Sequence, residues 1–206
     1  MSGMTCWRRL HEWHQAGVWS TLHRNLLNEL GLSRKIDWAR AAIDATSVRA
    51  LRGGDLTGPN PTDRAKAGSK QHLIVDMKGH PLAMALSAAN VNEVTVLLPL
   101  VDAIPPVKGP RGRPRRRPRK LHADKAYESR SNRRGLRARH IAPRIARKGI
   151  EPHDRLGRYR WVVEQRIAVL HQLRKLRVRD ERRGDIHFAL LVLGCDLMLF
   201  QSLARF

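Results

Sequence analysis

Residues 105–120, PPVKGPRGRPRRRPRK, hold five prolines and eight cations without one acid. Proline fixes φ and removes a backbone donor, and clustered like charges resist burial. The stretch therefore cannot bury a core and is expected to be an extended, solvated basic loop. Charge is uneven well beyond this loop. Residues 105–184 carry 27 Lys and Arg against 7 acids, so most of the formal net charge of +22 sits on one half of the chain. A polyanion is the partner such a surface fits.

Nucleic acid explains the charge better than an anionic membrane. No run of apolar residues is expected to span a bilayer, and no signal peptide is recognised. Residues 188–206 come closest, but Asp196 interrupts them, and the segment reads as a buried terminal helix. Cys6 and Cys195 stand far apart without a CxxC spacing, so neither a disulfide framework nor a cysteine zinc site is indicated. His11 and His14 are spaced i, i+3, whereas the zinc-protease pattern needs i, i+4, and they read as solvated helix histidines. The expected compartment is reducing cytosol. With 206 residues and 42% hydrophobic content, one main core with a small appendage is the expectation.

Residues 5–30 place Trp7, Leu10, His14, Val18, Leu22 and Leu26 at helical intervals broken by Gly17, giving two short helices. AAIDATSVRA follows as a strand, and RGGDLTGPNPTDRAKAGSK as a loop rich in turn formers. QHLIVDM and PLAMALSA, joined by Lys78, Gly79 and His80, form a hairpin. Asn92 caps a helix that Pro99 should kink or shorten. Beyond the basic loop come a strand, KLHADKAY, a basic helix over residues 129–140, a strand, HIAPRI, and a loop over 146–157. A long helix over about 158–177 carries Val163, Ile167, Leu170 and Leu173 as its stripe. The order of elements describes a mixed α/β layer fold.

Within this order three acids stand out. Asp44 lies mid-strand between Ala42, Ile43 and Ala45, where an uncompensated carboxylate is costly. Asp124 sits in the strand after the basic loop, and Glu164 beside the stripe of the long helix. Each has an ordinary role open to it: a turn cap for Asp44, an ion pair with Lys125 or an Arg for Asp124, and a pair with Arg160 one helical turn away for Glu164. Together they invite a metal site. Mg²⁺ and Mn²⁺ prefer carboxylate oxygen and retain waters that phosphate can replace. Two such ions about 3.5 to 4 Å apart can activate an attacking oxygen and stabilise a leaving one.

Five stretches carry a resemblance: IDATSVRA, the GG…TGPNPTDRAKAGSKQHLIVD segment, GHPLAMALSAANVNE, RPRKLHADKAYES, and RYRWVVEQ followed by LRKLRVRDERR. Over nearly all of residues 38–206 the chain resembles the DDE transposases of bacterial insertion sequences. It is most similar to the insertion-sequence-five type within the superfamily named for a Tyr, Arg, Glu, Lys signature. The resemblance implies a ribonuclease-H-like mixed sheet flanked by helices over residues 37–206. Residues 1–36 would be the end of an incomplete helical DNA-binding module, with Trp7, Trp13 and Trp19 on its apolar pattern.

The same resemblance implies DNA strand cleavage and strand transfer, with Asp44, Asp124 and Glu164 holding two Mg²⁺ or Mn²⁺ ions. Arg160 would be the signature arginine. The signature tyrosine would fall at Gly157, near Tyr159, and the lysine at His171, with Lys175 one turn on. Arg113, Arg115, Arg116, Arg117, Arg119, Lys120, Lys125 and Arg160 are the expected DNA contacts. Expected partners are DNA at element ends and target, a homodimer mate or the product of an upstream frame, and no membrane. The expected location is the bacterial cytoplasm at the nucleoid. A truncated copy that only binds DNA, and a stand-alone nuclease of the same fold, are the competing readings.

Overall fold

Strand β1 (Ala41–Ala50) is lined with small or apolar residues on both faces at its start, which lets it lie in the middle of a sheet covered on both sides. Ile43 faces one apolar cluster and Ala42 the other. In the computed structural model, which describes residues 2–147 and 153–204 except the side chains of 153–158, β1 pairs antiparallel with β3 (Ala67–Asp76) from Ala41 opposite Asp76 to Arg49 opposite Gly68. On its other side it pairs parallel with β5 (Lys120–Ala123), Ala41 opposite Leu121 and Ala42 opposite His122. β4 (Pro81–Ala88) extends the sheet antiparallel beyond β3, and β6 (Ala142–Ile145) extends it parallel beyond β5. The path β4-β3-β1-β5-β6 is the ribonuclease-H-like mixed sheet that the resemblance implied. Two-residue strands β2 (Gly58–Pro59) and β7 (Val178–Arg179) add to its margins.

The β3–β4 hairpin closes where Gly79 takes φ +82°. Asp76, fully buried, holds it by accepting from the backbone N–H groups of Lys78 and His80 at 3.0 and 2.8 Å. Helices α3 (Glu93–Asp102) and α4 (Arg130–Ala138) cover one face with Leu97, Leu100 and Leu136. The Asn92 side chain caps α3, and Pro99 sits inside the helix without ending it. Helices α5 (His153–Leu170) and α7 (Gly184–Ala204) cover the other face with Val162, Val163, Leu191 and Val192.

Several boundaries differ from the sequence reading. β3 begins at Ala67 rather than Gln71, because Gly68 pairs with both Gly58 and Arg49. β5 stops at Ala123, and Asp124 caps a 3-10 turn over Lys125–Tyr127. The long helix begins at His153, ends at Leu170 and restarts as α6 (Arg174–Arg177). The break lets Leu170, Leu173 and Leu176 all crowd against Gly194 of α7. The start of the expected 146–157 loop stays a loop, and its residues 148–152 lie outside the described residues.

Two further expectations change more. The basic loop does reach the core: Val107 is buried and forms a two-hydrogen-bond bridge with Arg115, at 2.7 and 2.8 Å. The loop is therefore a strap pinned at its base, with the Lys108 carbonyl lying so close over Gly31 that no side chain fits there. α7 is also longer than expected and, by length and composition alone, apolar enough to cross a membrane. It is a core helix in this fold, packed against β4 and four helices.

The N-terminal helices α1 (Gly3–Gln15) and α2 (Val18–Leu32) turn at Gly17, which takes φ +69°. α1 buries no residue, whereas α2 sends Leu27 and Leu30 into the same cluster as Ile43 and Leu100. Its His23 meets Asp196 of α7 at 2.6 Å, both side chains nearly sealed from water. That contact explains how an apolar helix tolerates the acid that interrupts it. Removing one partner of a buried pair strands the other. Asp196→Ala is therefore expected to lose about 3 to 5 kcal/mol in urea unfolding, and the double change His23→Leu with Asp196→Leu to recover most of that loss.

Candidate active site

The β1–β5 pairing ends at Ala42 opposite His122, and two residues further along each segment stand Asp44 and Asp124, which the same alternation puts in one row. Residues of even number on β1 and β5 face α5, as Ala42 shows by packing against Val162 and Val163. α5 runs over this row and presents Arg160 and Glu164. The Arg160 guanidinium lies 3.5 Å from Asp44 and 3.1 Å from Glu164. The structure thus brings Asp44, Arg160 and Glu164 into contact, with Asp124 close enough for its charge to act on Asp44.

Local chemistry fixes two of the acids. Asp44 Oδ1 accepts from the Ala45 N–H at 2.9 Å, and Asp124 Oδ1 accepts from the Ala126 N–H at 2.8 Å as cap of the 3-10 turn. Glu164 is half exposed. Burial raises the Asp44 carboxyl above the ordinary range; the Ala45 N–H and Arg160 oppose this, while Asp124 and Glu164 reinforce it. One guanidinium thus offsets only part of the charge gathered around Asp44. Below the row, the Tyr127 ring is buried, its hydroxyl has no partner, and its pKa is pushed up by burial and by Asp44, Glu93 and Asp124.

An all-oxygen donor set with one acid held partly against ionisation is chemically suited to a hard divalent cation. Among the described residues, however, no three His, Cys, Asp or Glu side chains stand close enough to hold one metal ion together. Arg160 occupies the space between Asp44 and Glu164 instead. The ordinary alternatives fare unevenly: Glu164 does pair with Arg160, Asp124 serves as a cap rather than an ion-pair partner, and Lys125 is exposed beside it.

The other signature positions separate. Tyr159 packs at 4.8 Å from the His122 ring, and the Arg40 guanidinium lies 4.3 Å above its centre. Lys175 is held by Asp180 and Glu181 at 3.3 and 2.8 Å, while His171 lies 3.4 Å from Gln71 on β3. Gly157 lies on α5, in the part where the backbone alone is described. Arg113, Arg115, Arg117 and Arg119 are exposed on the strap; exposed Arg116 is tied to the Asp102 carbonyl at 2.8 Å. Lys120 starts β5 on the face of the acid row. Sequence reasoning missed Tyr127, Arg40 and His122, whose roles arise from cross-strand neighbours far apart along the chain.

Residues 39–198 match the family model described as transposase DDE domain. The putative transposase for insertion sequence element IS402 of Burkholderia cepacia is 56% identical over 153 residues, 74% of this chain and 72% of that protein. The uncharacterized 16.2 kDa protein of the same element is 50% identical over 60 residues, 29% of this chain and 41% of its own length. The transposase for IS1106 of Neisseria meningitidis serogroup B is 33% identical over 117 residues, 52% of this chain and 37% of that protein. The chain thus spans less than half of the last two relatives.

Because burial raises the Asp44 pKa, the folded chain binds this proton more tightly than the unfolded chain does. The contribution of Asp44 to stability is full below the ordinary carboxylate pKa and is lost as pH rises through the raised value. Asp44→Asn is accordingly expected to raise the melting temperature at neutral pH, with the gain vanishing below the ordinary carboxylate pKa. Calorimetric scans across that range check it, and an unchanged or lower neutral melting temperature would contradict the assignment.

Proposed function

The chain belongs to the DDE transposase family of insertion sequences, and on that premise we propose that Asp44, Asp124 and Glu164 are its catalytic carboxylates for metal-dependent DNA cleavage and strand transfer. The observation that carries this reading is one guanidinium, Arg160, bridging Asp44 and Glu164 above the row that Asp44 shares with Asp124. Three acids from two strands and a helix would not otherwise be gathered in a chain of net charge +22.

Asp44 and Asp124 would hold a divalent cation from the sheet, with Glu164 completing the set from its more exposed place on α5. When bound, Mg²⁺ or Mn²⁺, as one ion or two, would supply activation of the attacking oxygen and charge stabilisation of the leaving one. The chain's own residues do the rest. Arg160, with a planar fork, can exchange a carboxylate for a phosphate while staying one helical turn from Glu164. The strap's exposed Arg113, Arg115, Arg117 and Arg119 would position the DNA backbone without reading sequence. Val107 ties that strap to the core, so single arginine changes there test it better than deletion.

The partners of this reading are DNA at element ends and target, in the bacterial cytoplasm at the nucleoid, and a second copy of the chain. The chain is similar to two proteins of one insertion element, over 74% and 29% of its length. Residues 1–36 would be the end of a helical DNA-binding module. A second reading, a copy that binds DNA without cutting it, is favoured by the absence among the described residues of a ready three-residue metal cluster.

Cleavage of a plasmid carrying the DNA that flanks the gene separates the two. Wild-type protein with Mg²⁺ or Mn²⁺ is expected to nick and join strands. Asp44→Ala, Asp124→Ala and Glu164→Ala should each drop both steps to background while DNA affinity in chelator holds. Arg160→Lys should keep the fold and lower strand transfer at least about tenfold, equivalent to about 1.4 kcal/mol. Full activity in any of the three acid variants would overturn the assignment, and inactive wild-type protein with intact DNA binding would favour the second reading.

A further inference from the structure

The face of the sheet that carries the acid row has a second row beside it. Ala42, His122 and Arg144 are aligned across β1, β5 and β6, and Lys120, two residues before His122, lies on the same face. Arg40, just before β1, reaches the same place by lying over the Tyr159 ring, which itself packs on His122. Arg40, Arg144 and Lys120 are all near enough for their charges to act on the His122 imidazole. Among the described residues, none of the three cations has a carboxylate within ion-pairing distance. His122 Nε2 is buried and has no hydrogen-bond partner.

We propose that Arg40, Lys120 and Arg144, gathered around His122 and Tyr159, hold a backbone phosphate of the DNA strand beside the one being cut. This rests on the reading that the acid row faces DNA. Three mutually repelling cations with no ion-pair partner among the described residues favour an anion seated among them. A phosphodiester supplies it: its free oxygens accept from the Arg144 fork, the Lys120 ammonium and an imidazole N–H. Tyr159 holds the Arg40 guanidinium over its ring, leaving the N–H groups at the rim free to donate. Position is also suitable. Two residues of strand are about 6.6 Å, and with a rise of about 3.4 Å per nucleotide the cluster stands one or two nucleotides from Asp124. α5 covers β1, β3 and β5, and Arg144 on β6 is exposed at the open side.

The test is binding of the full chain to a fluorescent DNA duplex in chelator, across a salt series. The double change Lys120→Ala with Arg144→Ala is expected to weaken binding at low salt at least about tenfold, the worth of one charge-assisted hydrogen bond. The slope of log affinity against log salt should fall by about 0.9, as expected when the protein neutralises one phosphate fewer. Arg144→Lys, which keeps the charge, should keep most of the slope. The free double variant should be as stable as wild type or more so at low salt, which a merely structural cluster would not allow. Wild-type affinity and slope in the double variant would overturn the proposal and leave the assignment of the acids standing. Failure of wild-type protein both to bind and to cut DNA would overturn the two together.

Discussion

Ala41 opposite Leu121 and Ala42 opposite His122 are the two pairings through which residues 120–146 are placed against residues 41–50. A strand's side chains alternate with a period of two, so a slip of one residue would turn His122 and Asp124 to the opposite face. The register is guarded from both sides. Leu121 and Ala123 belong to the cluster with Ile43 and Leu100, whereas Ala42 is clamped under Val162 and Val163. A one-residue slip would put Leu121 on the polar face and Lys120 and His122 in the core. The hydrophobic core thus fixes the acid row indirectly, through the leucines that point away from it.

The site built on that register is held at a cost to the fold. Asp44 is drawn partly out of water with two more carboxylates nearby and a single guanidinium to offset them. Around His122 the described residues show the opposite imbalance, with three cations that no carboxylate pairs. A row of excess negative charge next to a row of excess positive charge is not a pair of failed ion pairs. The rows stand two residues, about 6.6 Å, apart along the strands, and among the described residues no ion pair joins Arg40, Lys120 or Arg144 to Asp44 or Asp124. Elsewhere the chain neutralises its charges locally, as with Arg133 and Glu128, or Lys70 and Glu93 at 2.6 Å.

Asp44 stood out in the sequence because a carboxylate between Ala42, Ile43 and Ala45 breaks the logic of a buried strand, and the structure sets it against Arg160, which also meets Glu164. The hairpin and the Asn92 cap were legible because their signals are local, a glycine turn and a side chain two residues from its donor N–H. What stayed hidden depends on partners far along the chain. Arg40, His122 and Arg144 acquire meaning only in a register that no local pattern specifies. The break after Leu170 follows from Gly194 on another helix, and two-residue β7 leaves no periodicity to read. Asp196 suggested an interruption in an apolar segment; nothing local marks His23, on another helix, as its partner.

The strap illustrates how composition can describe a surface correctly and its mechanics incompletely. Five prolines and eight cations do keep most of residues 105–120 in solvent. Yet Val107 enters the core, the Lys108 N–H donates to Asn28 at 2.8 Å, and the Arg119 N–H donates to the Trp38 carbonyl at 2.8 Å. Ordering a free basic loop on DNA would draw on binding energy for each residue immobilised. Pinning its two ends, and Arg116 to the Asp102 carbonyl between them, meets part of that cost during folding. The strap's last residue is Lys120, the first of β5, so its arginines run directly into the cationic row and from there to the acids. A polyanion following this path would meet the strap's arginines, then Lys120, and then the carboxylates of Asp44, Asp124 and Glu164.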